Sequence, residues 1–232
     1  MVLDVANNHN GSAEHGKRII EDAYEALKGL DFAVAIKFQY RDAEKYINES
    51  FKGDWSNSYI KRFEETRLTD DEYQELILFS RDLGFLMACT PFDETSARKI
   101  YEQEFDLMKI ASASFADWPP LETIVEIGMP TIASTGGAPV EVIDRVSVFL
   151  TKRLKDVALM HCVAEYPTAD ENLNLLRIEN MKRGYSELVI GYSTHENPQN
   201  NMAGPLALAL GSQIFERSQR LLFTWMQYLD AN

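Results

Sequence analysis

Two lysines stand where lysines are costly. Lys37 lies between Ile36 and Phe38, and Lys109 between Met108 and Ile110, each inside a short apolar run. Burying an unpaired ammonium group is expensive, so each requires a negative partner or an anionic ligand. If the first run is a strand, Gln39 shares a face with Lys37, because strand side chains alternate. Other polar residues sit at or just beyond the ends of apolar runs: Asp4, Ser112, Ser134 with Thr135, His161, Tyr166, Ser193, His195 and Glu216. Ammonium groups ringed by hydroxyls suit a compact anion carrying phosphate or carboxylate groups. Taken singly, each lysine reads more simply as half of a structural ion pair. Their joint placement favours a ligand. His195, in "YSTHEN", offers a neutral imidazole to a divalent metal, with no second histidine close by in sequence. His9, in "NNHNG", reads as a turn residue, and His161 as a hydrogen-bonded core histidine.

The elements that must position these residues follow from periodicity. Eight apolar runs read as strands: VLDVA, AVAIKFQ, FLMACT, LMKIAS, PTIAST, DVALMHCV, LVIGYS and QIFE. Amphipathic stretches alternate with them. Thr69 and Glu72 form a capping box opening a helix over 70–83, with Gly84 just past it. Pro119 and Pro120 open another that Gly128 closes, and helical patterns cover 12–28 and 140–152. The Gly204-Pro205 pair delays the seventh helix to Pro205. Strictly alternating strands and helices, with strands apolar along most of their length, predict a parallel sheet covered by helices. Eight units predict a TIM (β/α)8 barrel forming one domain over 1–232. An open doubly wound sheet is the alternative, but the first turn lacks its glycine-rich signature. In a barrel, residues at the C-terminal strand ends converge on one mouth. The long connection from Tyr40 to about Arg67 is then either a lid on that face or a surface excursion.

Composition narrows the partners. Lys+Arg 23 against Asp+Glu 36 leaves a net charge of -13, which repels nucleic acid and anionic lipid unless a local basic pocket intervenes. An anionic ligand must therefore be met locally. No run is long enough to span a bilayer. Cys89 and Cys162 read as core thiols of a reducing compartment, and with no secretory signal in view the expected location is cytoplasmic.

In order and spacing, "ANNHNGSAEHGKRII", "AIKFQYRD", "ACTPFDETSA", "MKIASASFADWPPLE", "TIASTGG", "MHCVAEYPTADENLNL" and "IGYSTHE" resemble the N-acetylneuraminate synthase family, whose members make sialic acid and related nonulosonic acids. The resemblance runs from Val2 to about Glu216. It implies a barrel that condenses phosphoenolpyruvate with an open-chain N-acetylated amino sugar, such as N-acetylmannosamine, releasing phosphate. It also implies a divalent cation, Mn2+ or Mg2+, as Lewis acid. By the same resemblance Lys37, Lys109, Ser112, Ser134 and Ser193 hold phosphoenolpyruvate, and Gln39 and Tyr166 line the pocket. Asp4 stands where the family has a glutamate near the reacting centre, Glu216 contacts the sugar, and His195 binds the metal.

Departures accompany the likeness. Ala164 replaces an asparagine that contacts the ligand in some members. In "FERSQ", Ser218 occupies the position of the second metal histidine, and a hydroxyl is a poor substitute for imidazole towards these cations. The family continues into a small antifreeze-like domain that covers the partner subunit's site in a swapped dimer, for which this sequence shows no counterpart. A homodimer, weak metal binding and impaired activity are thus the expectations, with a non-catalytic phosphoenolpyruvate-binding or assembly barrel as the alternative. A metal-dependent sugar isomerase ranks below both, since only Asp4, His195 and Glu216 are obvious ligands. Beyond Glu216, Leu221, Leu222, Trp225, Met226 and Leu229 recur at helical spacing, so 217–232 reads as an atypical eighth helix with Ser218 as its N-cap.

Overall fold

All eight apolar runs become strands: β1 (Val2–Asp4), β2 (Ala35–Tyr40), β3 (Leu86–Pro91), β4 (Leu107–Ile110), β5 (Thr131–Ser134), β6 (Val157–Cys162), β7 (Val189–Ser193) and β8 (Ile214–Ser218). In the computed structural model, which describes residues 1–218 apart from 43, 45, 46, 198 and 201, they pair in chain order and close into a barrel. Each neighbouring pair is parallel, including the closing pair of β1 with β8. The fold is a TIM barrel.

Helices fill the connections: α1 (Ala13–Leu27), α2 (Ser58–Glu65), α3 (Asp70–Asp82), α4 (Glu94–Glu102), α5 (Trp118–Ile127), α6 (Val140–Thr151), α7 (Leu176–Gly184) and α8 (Ala203–Ala209). The punctuation acts as its chemistry predicts. Thr69 and Glu72 exchange both bonds of the capping box ahead of α3, and Gly128 ends α5 at φ 80°, a left-handed conformation that costs glycine little. Two expectations need correction. α8 starts at Ala203, so Pro205 lies in its first turn, where its missing N–H costs nothing. Ser218 is the last residue of β8, in register with Asp4, and so occupies a strand position instead of a helix cap. The eighth helix read over 217–232 otherwise lies outside the described residues.

Alternation divides each strand between two cores. Outward-facing residues such as Ile36, Phe38, Met108, Leu159 and Tyr192 pack under the helices in the larger core. Inward-facing Val2, Ala35, Ala88, Ile132, Ala158 and Met160 fill the barrel itself. Gly191 is part of that filling, because a Cβ there would meet the Ile214 carbonyl oxygen at 2.7 Å. The next inward layer toward the C-terminal ends is polar, and it carries the lysines.

Candidate active site

Two residues on from Ala35, Lys37 points into the barrel; Lys109 does so from β4 and Glu216 from β8. All three side chains are almost completely buried. Lys37 Nζ pairs with Asp4 Oδ1 at 3.0 Å and with Glu216 Oε1 at 3.7 Å. Lys109 Nζ pairs with Glu216 Oε2 at 3.4 Å and donates to Ser134 Oγ at 2.7 Å and to the Ile110 carbonyl at 3.3 Å. Lys37 also donates to Thr90 Oγ1 at 3.4 Å. Both ammonium groups thus have the negative partners their burial demands, and one carboxylate, Glu216, serves both. Ser193 Oγ points at the same carboxylate, 3.5 Å away.

Burial and charge compete at each group. Burial pulls both lysines down. At Lys37 the charges of Asp4 and Glu216 outweigh it and hold the ammonium above the usual lysine value. At Lys109 burial outweighs Glu216, helped by the like charge of Lys37, and the value falls below the usual one. For Glu216 burial pushes upward, but Lys109 and Lys37 win and keep its carboxyl below the usual range. Two lysines and two acidic side chains thus share one polar layer.

Around this cluster the other expected residues fall into two groups. Ser112, just after β4, accepts the Gly136 N–H at 3.1 Å; a Cβ on Gly136 would come within 2.8 Å of that hydroxyl, so the glycine keeps the approach open. Gln39 Nε2 donates to Asp4 Oδ2 at 3.2 Å. Tyr166 and His195 pair with each other beside the cluster, whose charges reach both, with the tyrosine hydroxyl 2.7 Å from His195 Nε2 and ring centroids 3.9 Å apart. Burial depresses the His195 imidazole to about 4, leaving it neutral at pH 7. Tyr166 is the most exposed of the expected residues, at 75%. Thr90 and Arg41 belong to the site without having been expected there. Strand alternation from Ala88 and from Lys37 places both on the inner face, and that is the signal that finds them.

The donor set does not fit a resident divalent cation. Among the described residues no three His, Cys, Asp or Glu side chains group as a metal shell. His195 supplies one imidazole, and its Nε2 is engaged by Tyr166, while the carboxylates of the mouth are held by lysines. Mg2+ and Mn2+ prefer several oxygen or imidazole ligands.

Two histidines away from the mouth are structural, as their sequence contexts suggest. His9 Nδ1 accepts the Gly11 N–H at 3.2 Å, and His161 Nε2 donates to the Leu173 carbonyl at 2.8 Å. Burial lowers His9 to about 4 and lowers His161. Unfolded histidine titrates near 6.5, so below that pH the unfolded chain binds protons that the folded one refuses. Stability therefore falls as pH drops through about 6.5 towards 4, by up to about 1.4 kcal/mol per pH unit for each such residue. Thermal unfolding should show a lower midpoint at pH 5 than at pH 7, and His9→Gln should flatten the slope. A midpoint independent of pH over that range would refute the neutral buried histidines.

Fold and site together define a (β/α)8 barrel whose strand ends build a charged mouth. Within that class the NeuB family model matches residues 19–222, and the chain belongs to the NeuB family. A Chromobacterium violaceum structure, provisionally named spore coat polysaccharide biosynthesis protein E, superposes with a TM-score of 0.91 at 45% identity, covering 94% of this chain and 65% of that one. The N-acetylneuraminic acid (sialic acid) synthetase of Leptospira borgpetersenii, solved with citrate, gives 0.81 at 28%, covering 94% and 71%. Human N-acetylneuraminate-9-phosphate synthase is 25% identical over 97% of this chain and 63% of its own length. The chain thus spans under two thirds of that relative. No helix among the described residues is long and apolar enough to cross a membrane.

Proposed function

We propose that this chain is the barrel of a nonulosonic acid synthase, binding phosphoenolpyruvate across Lys37 and Lys109 and presenting it to the aldehyde of an N-acetylated amino sugar. The supporting observation is the convergence of two buried ammonium groups, from strands that are not neighbours, on one carboxylate at the barrel mouth. Relatives named as sialic acid synthases from distant organisms agree with it.

Each ammonium group already faces three acceptor groups. An incoming phosphate competes with Glu216 for both cations, with Ser112, Ser134 and Ser193 as further donors. The enol carbon of phosphoenolpyruvate attacks the aldehyde carbon, and the aldehyde oxygen takes a proton. Water adds to the resulting oxocarbenium carbon, gives up a proton, and phosphate leaves from the tetrahedral intermediate. Asp4, and Glu216 once displaced, are the carboxylates placed to carry those protons. Gln39, bonded to Asp4, lines the acceptor side, with Tyr166 on the rim.

Because His195 stands without a second imidazole, any Mn2+ or Mg2+ is expected to bind weakly and turnover to be low. The same observation supports the second reading, a phosphoenolpyruvate-binding barrel without catalysis. Calorimetry should detect phosphoenolpyruvate binding, and a phosphate-release assay with phosphoenolpyruvate, N-acetylmannosamine and Mn2+ should show little or no turnover. A folded sample that fails to bind phosphoenolpyruvate would sink the pocket. Rapid metal-dependent turnover would instead refute the impairment.

A further inference from the structure

His195 is followed by a residue whose side chain turns the other way. The Glu196 side chain is 1% exposed, and its carboxyl group meets two residues of the outer barrel face, which strand alternation separates from the polar layer inside. Tyr192 of β7, packed in the larger core under the helices, donates from its hydroxyl to Glu196 Oε2 at 3.3 Å. Arg217 of β8, between inward-facing Glu216 and Ser218, brings a guanidinium nitrogen to 3.8 Å from Oε1.

The backbone around Glu196 ties three strand ends together. Thr168, in the loop after β6, forms a parallel bridge with Glu196, and its N–H donates to the His195 carbonyl at 2.8 Å. Thr194 N–H donates to the Glu216 carbonyl at 3.0 Å. The loops after β6 and β7 also carry Tyr166 and His195, whose side chains meet beside the lysine cluster. Glu196 therefore pins, from the outer face, the backbone from which both side chains reach the mouth.

Stability alone does not account for a carboxyl group here. Among the described residues Oε1 accepts no hydrogen bond, and a buried polar atom left unsatisfied costs stability. Replacing a buried ionic group by an apolar one of similar volume is often neutral or stabilising. What the carboxyl group adds is direction. Its contacts to β7 and β8 define where the residue after His195 sits, and a site side chain keeps its place only as well as its supporting contacts hold it.

We propose that Glu196 is a positioning residue, which fixes the loop after β7 so that the Tyr166–His195 pair stands at the mouth and meets the bound ligand. The inference deepens the synthase reading and rests on it for the identity of that ligand, phosphoenolpyruvate.

The test joins proton magnetic resonance to calorimetry on the full chain. The sequence has four histidines, and the His195 ring signals are identified by their loss in His195→Gln. With ring centroids 3.9 Å apart, Tyr166 displaces those signals upfield, and Tyr166→Leu gives the undisplaced position. Glu196→Leu keeps the volume of the side chain and removes both polar contacts. Most of the displacement should then vanish, and phosphoenolpyruvate affinity should fall about tenfold, the scale of one lost hydrogen bond to a charged group. Glu196→Gln, which retains an acceptor for Tyr192, should restore most of both. Tyr192→Phe removes a single hydroxyl on the outer face and should move both measurements in the direction of Glu196→Leu, so it carries the test if that variant does not fold. Signals that stay displaced in the folded variants would overturn the proposal and leave Glu196 a residue of the barrel wall alone. Signals that move while affinity holds would overturn it as well, since the pair would then meet no ligand. An unaltered chain that binds no phosphoenolpyruvate sinks the synthase reading. The His195 signals need no ligand, so that failure is distinguishable from failure of the positioning role.

Discussion

Lys109→Met is expected to weaken phosphoenolpyruvate binding at least about a hundredfold while leaving a folded barrel of reduced stability. Lys109 is 3% exposed and spends its donors on Ser134, Ile110 and Glu216. Methionine has similar length and adapts to the channel left by the aliphatic stem, so packing loss is small. The electrostatic loss is not. Among the described residues Glu216 keeps one cation, Lys37 at 3.7 Å, and the Ser193 hydroxyl at 3.5 Å, and breaking one side of a buried ion network costs about 3–5 kcal/mol. The carboxylate answers by taking up a proton, since both burial and the loss of a cation raise its pKa. The ligand then faces a single ammonium group that Asp4 already holds. Urea denaturation gives the stability change and calorimetry the affinity. A folded variant that binds phosphoenolpyruvate as tightly as the parent would make Lys109 a structural ion-pair partner, the reading its sequence context alone favours.

That contest between ion pair and ligand shows where sequence reasoning reaches and where it stops. The strands were legible because a buried parallel strand is apolar on both faces, and a lysine between Ile36 and Phe38 could only point inward at some cost. That each lysine needed a carboxylate followed directly. That one carboxylate, Glu216, serves both did not, because it depends on how β8 closes against β1 and on the register Val2↔Glu216, which no local pattern carries. Arg41 was missed because it falls just past an apolar run and read as the start of a loop. Its capture between Phe63 and Phe92 joins both parts of the β2–β3 connection to the start of the β3–β4 connection, points far apart in sequence. Pro205 shows the opposite failure: a local rule applied one turn too strictly, since the first turn of α8 needs no N–H from it. Tyr166, in the loop after β6, is 75% exposed yet bonded to His195 and within reach of the charges of Asp4 and Glu216. A loop residue has no strand period to fix its depth.

Ser218→His is expected to raise Mn2+ affinity by about tenfold or more, the scale on which one added imidazole changes an incomplete site. The argument is one of register. Ser193 pairs with Glu216 between β7 and β8, Thr194 N–H donates to the Glu216 carbonyl at 3.0 Å, and His195 follows directly past β7, while Ser218 takes the next inward position of β8 after Glu216. Ser218 also pairs with Asp4 across the closing seam, so an imidazole there would lie between a neutral imidazole on one side and a carboxylate on the other. His195 is already in the protonation state a metal requires, because burial holds it near 4. Its hydrogen bond to Tyr166 must be released, and the exposed tyrosine can swing away at little cost. Electron paramagnetic resonance of free Mn2+ reads the affinity directly, with no need for turnover. The gain should vanish when His195→Ala is added to Ser218→His, since the new ligand would then stand alone. A gain that survives His195→Ala would place the bound cation elsewhere, and no gain in Ser218→His would mean that the β8 end does not present its side chain beside His195. If affinity rises and phosphate release with phosphoenolpyruvate and N-acetylmannosamine rises with it, a metal ligand at the end of β8 limits turnover in the unaltered chain. A rise in affinity alone would show that metal binding does not limit turnover.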